Sequence, residues 1–234
     1  MLIIGNGQMA KVFQKNCNLN NVVIFASGVS DSSCNDLKEF KREENLLLQV
    51  LNQNKDKRFV YFSSCALSAV DYKLNEYYWH KQNMENLIKE NSNNYYIFRL
   101  PQVFGNLTRH KTLVNFFYTS IINGKKFNVY DKAYRYVVEI NDVKRFVEIF
   151  LLFSGERNII IDFANPFRYK VLDIVKILEV LLNKKAKYDL IYKEDGYILK
   201  FKEMNSFLEK FSIDFEFGES YLYNKLRKRV LYNE

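Results

Sequence analysis

The sequence predicts an α/β fold built on a doubly wound, mostly parallel sheet. Three observations carry that expectation. Short apolar runs alternate with helix-period segments through the first half of the chain, as in a parallel sheet covered on both faces. The first apolar run ends in a glycine turn that opens a helix. Only two prolines and eight glycines occur in 234 residues, too few for a sheet-only sandwich that turns every few residues.

Taken in order, Leu2, Ile3 and Ile4 form the first strand, and Met9, Ala10, Val12 and Phe13 follow at helical spacing. Residues 22–26 read as a second buried strand. Asp36 with Glu39 looks like a capping box, and Leu46, Leu47, Val50 and Leu51 continue that helix to about Asn52. Residues 58–64 are a third strand, 75–89 a helix, and 95–100 a fourth strand running into Pro101. Beyond Gly105 the order is less regular. Helices are expected over 113–122, 141–153, 171–182 and 221–231, and strands over 127–130, 134–139, 158–163 and 188–192.

Composition narrows the function classes. With 48% hydrophobic and 16% aromatic residues the chain can bury a generous core, which removes disordered and coiled-coil readings. The balance of 35 Lys+Arg against 27 Asp+Glu gives a charge of +8. The basic run at 225–229 alternates with Leu226 and Val230 at helical spacing, so it reads as a solvated amphipathic helix and not a nucleic-acid stripe. The aromatic content is read as core. Cys17, Cys34 and Cys65 have no metal-like spacing, and His80 and His110 stand far apart, so neither a metal site nor a disulfide framework is expected. The opening apolar run is too short for a signal peptide or anchor, and no run approaches membrane-spanning length. The expected compartment is the cytoplasm, with no membrane partner.

Gly5-Asn6-Gly7-Gln8-Met9-Ala10 fits G-x-G-x-x-[GA]. Gly5 permits a tight turn, Gly7 removes a side chain where a pyrophosphate would approach, and Ala10 lets helix and strand pack closely. The helix N-terminus would offer N–H groups to the anion. A plain structural turn is the competing reading.

Two further segments, Phe59-Val-Tyr-Phe-Ser63-Ser64 and Arg99-Leu-Pro101-Gln102-Val103-Phe-Gly105, join this turn and Tyr77-Tyr-Trp-His-Lys81. Together they resemble the extended short-chain dehydrogenases/reductases, the NAD-dependent epimerase/dehydratase family of nucleotide-sugar enzymes. The resemblance implies a Rossmann-like domain over 1–105 plus about 136–164, and a substrate-binding lobe over about 106–135 plus 165–234. It implies Tyr77, Lys81 and Ser64 as catalytic residues. It also implies contacts to NAD(H) or NADP(H) from the glycine turn, Ala26, Ser27, Gly28, Ser63, Tyr77, Lys81, Pro101, Gln102 and Val103. Asn115 and Arg135 would contact a nucleotide-sugar diphosphate. A homodimer is implied by analogy.

The chemistry asks for Tyr77 and Lys81 on one helix face, and four-residue spacing supplies it. The ammonium would lower the phenol pKa toward neutrality. Tyr221 and Lys225 repeat the same spacing, but only Tyr77 follows a Ser-Ser strand end. The chain also departs from the family pattern. Residues 22–28 look like a later strand that follows the first helix directly, so the usual second and third strands are missing. No acidic residue or arginine marks the cofactor's ribose. Cys65-Ala66 stands where dehydratases carry Asp-Glu. The leading expectation is a reductase of a nucleotide-diphosphate 4-keto-6-deoxy sugar. A 4-epimerase and a dinucleotide-sensing or scaffolding module are the alternatives.

Overall fold

The computed structural model describes residues 1–15, 17, 19–70, 72–108 and 112–232. His110 lies outside the described residues. The first half runs β1 (Leu2–Ile4), α1 (Gln8–Gln14), β2 (Val22–Phe25), α2 (Leu37–Gln53), β3 (Arg58–Ser64), a 3-10 turn (Cys65–Ser68), α3 (Glu76–Asn91) and β4 (Tyr95–Leu100). The second half runs β5 (Gln102–Phe104), α4 (Leu113–Ile122), β6 (Lys126–Arg135), β7 (Val137–Glu139), α5 (Ile140–Phe153), β8 (Ile159–Asp162), β9 (Tyr169–Lys170), α6 (Val171–Leu182), β10 (Lys187–Asp195), α7 (Lys202–Lys210) and α8 (Tyr221–Tyr232).

The expected α/β class is found, with five parallel strands in the order β1-β2-β3-β4-β8. All four residues of β2 are buried, the pattern of a strand covered on both faces. β1 pairs directly with β2 and forms the sheet edge, as the missing-strand reading requires. The caps explain where the helices begin. Asp36 Oδ1 accepts from Lys38 N–H at 2.8 Å, and Asn75 accepts from Tyr78 N–H at 3.1 Å. Glu39 does not complete the expected box, because its carboxylate pairs with Arg42 at 3.0 Å.

The two faces of the sheet are covered by different helices. Phe13 of α1 and Phe146, Val147 and Phe150 of α5 share a core with Val22, Ile24, Val60 and Phe98. Leu47 and Val50 of α2 and Met84 and Ile88 of α3 pack on the other face, against Val23, Phe25, Phe59 and Tyr61. The strand order nevertheless advances in one direction throughout. The crossovers through α1 and α5 therefore have the opposite hand to those through α2 and α3. One pair runs against the strong right-handed preference of parallel crossovers.

A second core, formed by Phe117, Phe127, Val129, Ile174, Leu178, Tyr221 and Leu226 among others, joins α4, β6, α6 and α8. The expected division placed all residues after 165 in that lobe. Phe201, Met204, Phe207 and Phe215 instead pack in the α1–α5 core, because α7 lies against β8. The strand expected over 127–130 runs on through Asp131 and Lys132 to Arg135 as β6, and the one expected over 134–139 is divided, its first two residues ending β6 and Val137–Glu139 forming β7. Among the described residues, no helix is long and apolar enough to cross a membrane.

Candidate functional site

The C-terminal ends of β2, β3 and β4 open into a cleft of about 1070 Å³. From the sequence-predicted set it is lined by Gly7, Gln8 and Met9 of the turn, Ala26 and Gly28 after β2, Ser63 and Ser64 of β3, Tyr77 and Lys81 of α3, Pro101, Gln102 and Val103 after β4, and Arg135. Gly5, Asn6, Ala10, Ser27 and Asn115 lie outside its lining. Asn115 is buried and donates from Nδ2 to the Asn106 carbonyl at 2.7 Å, so it fastens the loop after Gly105 to α4.

Each part of the glycine turn has a visible reason. At Gly5, φ is +123° and a Cβ would lie 2.4 Å from the Ala26 carbonyl oxygen. At Gly7 a Cβ would meet nothing within 4 Å, so the space in front of it is open for a ligand. Gln8 reaches across the cleft floor and accepts from Asn106 N–H at 2.9 Å. The two serines end β3 differently. Ser64 Oγ accepts from Ala66 N–H at 3.3 Å, which leaves its own O–H to donate into the cleft. Ser63 Oγ is buried without a hydrogen-bond partner among the described residues. A dinucleotide fits these features, since it brings phosphate to an open turn and polar atoms to an orphaned hydroxyl.

Lys81 departs from expectation. Its ammonium lies 3.0 Å from Glu43 Oε1 and 3.0 Å from the Tyr61 hydroxyl, and 5.8 Å from the centre of the Tyr77 ring. Glu43 on α2 is fully buried. It also accepts from Val29 N–H and the Tyr61 hydroxyl, each at 2.6 Å, and from His80 Nε2 at 2.9 Å. Burial alone would raise the Glu43 pKa, but the Lys81 ammonium and these hydrogen bonds outweigh it and hold the carboxyl well below the usual carboxylate range. The expected lowering of the Tyr77 pKa is not found. Burial first, then Tyr78 and the carboxylates of Glu43 and Asp31, push the phenol well above its ordinary value.

Gly28 passes over this pair so closely that a Cβ would sit 2.7 Å from Lys81 Nζ and 2.8 Å from Glu43 Oε1. Glu43 escaped the sequence reading, although it stands on the same helix stripe as Phe40, Leu47, Val50 and Leu51. A carboxylate at core spacing was the available signal.

Across the cleft, Arg135 Nη2 pairs with Asp195 Oδ2 at 2.5 Å, and Tyr72 donates to Asp195 Oδ1 at 3.4 Å. Tyr72 packs edge-on against both Tyr78 and Tyr197. Cys65, at the position where dehydratases carry an acid, is buried and donates to the Arg99 carbonyl at 3.0 Å. Burial pushes its thiol pKa well up. The second Y-x-x-x-K copy is structural. Tyr221 donates to Asp142 Oδ2 at 2.6 Å, and Lys225 pairs with the same oxygen at 2.7 Å, docking α8 onto α5.

The fold is shared by solved structures of other proteins. It is similar to dTDP-4-dehydrorhamnose reductase from Bacillus anthracis, solved with NADP, at 14% identity and a TM-score of 0.74, over 97% of this chain and 96% of that one. It is similar to UDP-glucuronic acid 4-epimerase from Bacillus cereus, solved with UDP-glucuronic acid and NAD, at 18% identity and a TM-score of 0.70, over 97% and 78%. It is also similar to dTDP-glucose 4,6-dehydratase from Bacillus anthracis, solved with NAD, at 13% identity and a TM-score of 0.68, over 94% and 73%. No family model and no curated protein matches the sequence.

Proposed function

We propose that this protein is an NAD(P)H-dependent reductase of a nucleotide-diphosphate 4-keto-6-deoxy sugar. The observation that carries the reading is the meeting of the glycine turn, Ser64, Tyr77 and Lys81 in one cleft. The bound dihydronicotinamide would supply the hydride. Tyr77 gives its phenolic proton to the carbonyl oxygen as the carbon is reduced, and solvent restores that proton afterwards. Ser64 donates a hydrogen bond to the same oxygen. Lys81 and the orphaned Ser63 hydroxyl hold the ribose side of the cofactor, and Arg135 faces the diphosphate of the sugar.

The 4-epimerase reading is second. An epimerase must keep its cofactor through an oxidation and a reduction, whereas the short β1 edge leaves little protein to enclose the adenosine end. Size supports the same choice, since this chain covers 96% of the reductase and 78% of the epimerase. Buried Cys65 supports no dehydratase role.

The purified protein, given NADH or NADPH and a panel of 4-keto-6-deoxy nucleotide sugars, is expected to consume the reduced cofactor in proportion to the sugar. In a parallel assay with NAD and nucleotide sugars that carry a C4 hydroxyl, inversion at C4 without net cofactor consumption would favour the epimerase. Cofactor binding with no turnover on any substrate would favour a sensing module. Gly7→Val is expected to fold as the parent does, because the space before Gly7 is empty and its backbone (φ −73°, ψ −175°) suits any residue. It should weaken NAD(P)H binding about tenfold or more, measured by fluorescence titration, since a branched side chain fills the approach to the turn.

A further inference from the structure

We infer that Lys73 is a ligand of the nucleotide sugar's diphosphate: it is the cation that the cleft leaves without a carboxylate, ready for an incoming anion. The inference rests on the reductase reading and deepens it, since it names the side chain that receives the charged part of the substrate.

Among the described residues three cations line the cleft: Lys73, Lys81 and Arg135. Two of them are already matched by carboxylates of the protein. Lys81 lies 3.0 Å from Glu43 Oε1, while Arg135 lies 2.5 Å from Asp195 Oδ2 and donates to the Asp195 carbonyl at 3.1 Å. Lys73 is exposed and forms no ion pair or side-chain hydrogen bond among the described residues. Asp31, the acid that lines the cleft besides Asp195, turns Oδ1 to Ser33 N–H at 3.0 Å and to the Ser33 hydroxyl at 2.6 Å. An ammonium in a concave site with no carboxylate of its own is a place for an anion.

The backbone around Lys73 is anchored on both sides. Tyr72 before it donates to Asp195 Oδ1 at 3.4 Å and packs edge-on against Tyr197, with ring centres 4.9 Å apart. Asn75 after it donates to the Ser32 carbonyl at 2.8 Å and caps α3. The loop is thus held while the Lys73 side chain is left to meet a ligand. Its position selects the sugar's diphosphate over the cofactor's pyrophosphate. The aspartate that Tyr72 reaches is the partner of Arg135, so Lys73 and Arg135 flank one contact across the cleft. The glycine turn follows β1, whereas this loop follows β3, two strands along the sheet and about 10 Å away at ordinary strand spacing. An anion held by Lys73 also stays beside the loop that leads into Tyr77, where the sugar must present its carbonyl.

The test uses the whole protein with GDP, CDP, UDP and dTDP, which carry the diphosphate and lack the sugar, and separately with NADPH. Affinities are measured by isothermal titration calorimetry at low salt. K73M, which keeps the length of the side chain and loses the charge, is expected to bind the nucleoside diphosphate that the parent prefers about tenfold more weakly or worse, the loss of one charge-assisted hydrogen bond. K73R keeps the cation and is expected to stay within about threefold of the parent. NADPH affinity should be unchanged in both variants. The parent's affinity for the nucleoside diphosphate should also fall more steeply with salt than that of K73M, which has one exposed cation fewer. Because Lys73 is exposed and makes no ion pair among the described residues, both variants are expected to fold as the parent does. A K73M protein that binds the nucleoside diphosphate as the parent does overturns the inference, and so does a loss that falls on NADPH alone. A parent that binds none of the nucleoside diphosphates is a separate result, and it overturns the nucleotide-sugar reading on which the inference stands.

Discussion

Tyr77→Phe is expected to lower the rate of sugar reduction by about 10²- to 10⁴-fold, the range that a positioned general acid contributes. Binding of NAD(P)H should hold, because the ring stays in place against Tyr78 at 5.2 Å and the hydroxyl is all that is lost. Steady-state kinetics with the productive substrate and a fluorescence titration of the cofactor check both halves. The pH dependence follows from the sign of the Tyr77 shift. A phenol raised above its ordinary value of about 10 stays protonated through neutral and mildly alkaline solution. The reduction rate of the parent should therefore show no loss from Tyr77 until the pH passes that value. An alkaline loss near neutrality that disappears in Y77F would place the phenol pKa far lower and contradict the described environment.

Gly5→Ala is expected to carry one of the largest stability costs of any single-methyl addition. The new Cβ would lie 2.4 Å from the Ala26 oxygen, 2.7 Å from its carbonyl carbon and 3.0 Å from Ser27 N. These are backbone atoms, and Ala26 is itself pinned by its N–H to the Ile4 carbonyl at 2.8 Å. Alanine at φ +123° adds strain of about 1–3 kcal/mol, and displacing the packed loop adds about 1–3 kcal/mol more. The sum, roughly 2–6 kcal/mol, is a large part of the 5–15 kcal/mol that holds a typical domain together. Urea melts should show a lower midpoint at unchanged slope. Gly7→Val, two residues away, should leave the midpoint near the parent value. Equal stability of G5A and the parent would contradict the close approach of the turn to the β2 loop.

The parts legible in the sequence were those governed by local pattern. The all-apolar run of β2, the apolar stripes of α5 and α6 and the glycine turn each declare themselves within a few residues. β5 and β9 were not legible, since Gln102–Phe104 follows a proline at once and Tyr169–Lys170 is only two residues long. α7 offers only Met204 and Phe207 as buried positions, too few to establish a helical period. In the site, Ser63, Ser64, Tyr77 and Lys81 were recognised as types at a spacing, but their electrostatics were not. The group that changes them, Glu43, stands 38 residues from Lys81 and becomes its neighbour only when α2 and α3 pack side by side. Arg135 was likewise found as a cation, while its partner Asp195 lies 60 residues further on.

The opposed hands of the crossovers bear on the order in which the protein assembles. β2-α2-β3-α3-β4 repeats one crossover on one face, so it can grow by adding neighbours in sequence. β1 is three residues long, is bonded on one side only, and must reach its place through a seven-residue helix on the far face. Its docking contacts, Phe13 with Phe62 and α1 with α5, exist only after much of the chain has already folded. The amino-terminal segment is thus expected to join late and to open first, as a separate cooperative unit in native-state hydrogen exchange. That segment carries the glycine turn, so the proposed cofactor's grip would be made by the most loosely held part of the sheet. A dinucleotide that binds there would act as the staple that closes the fold.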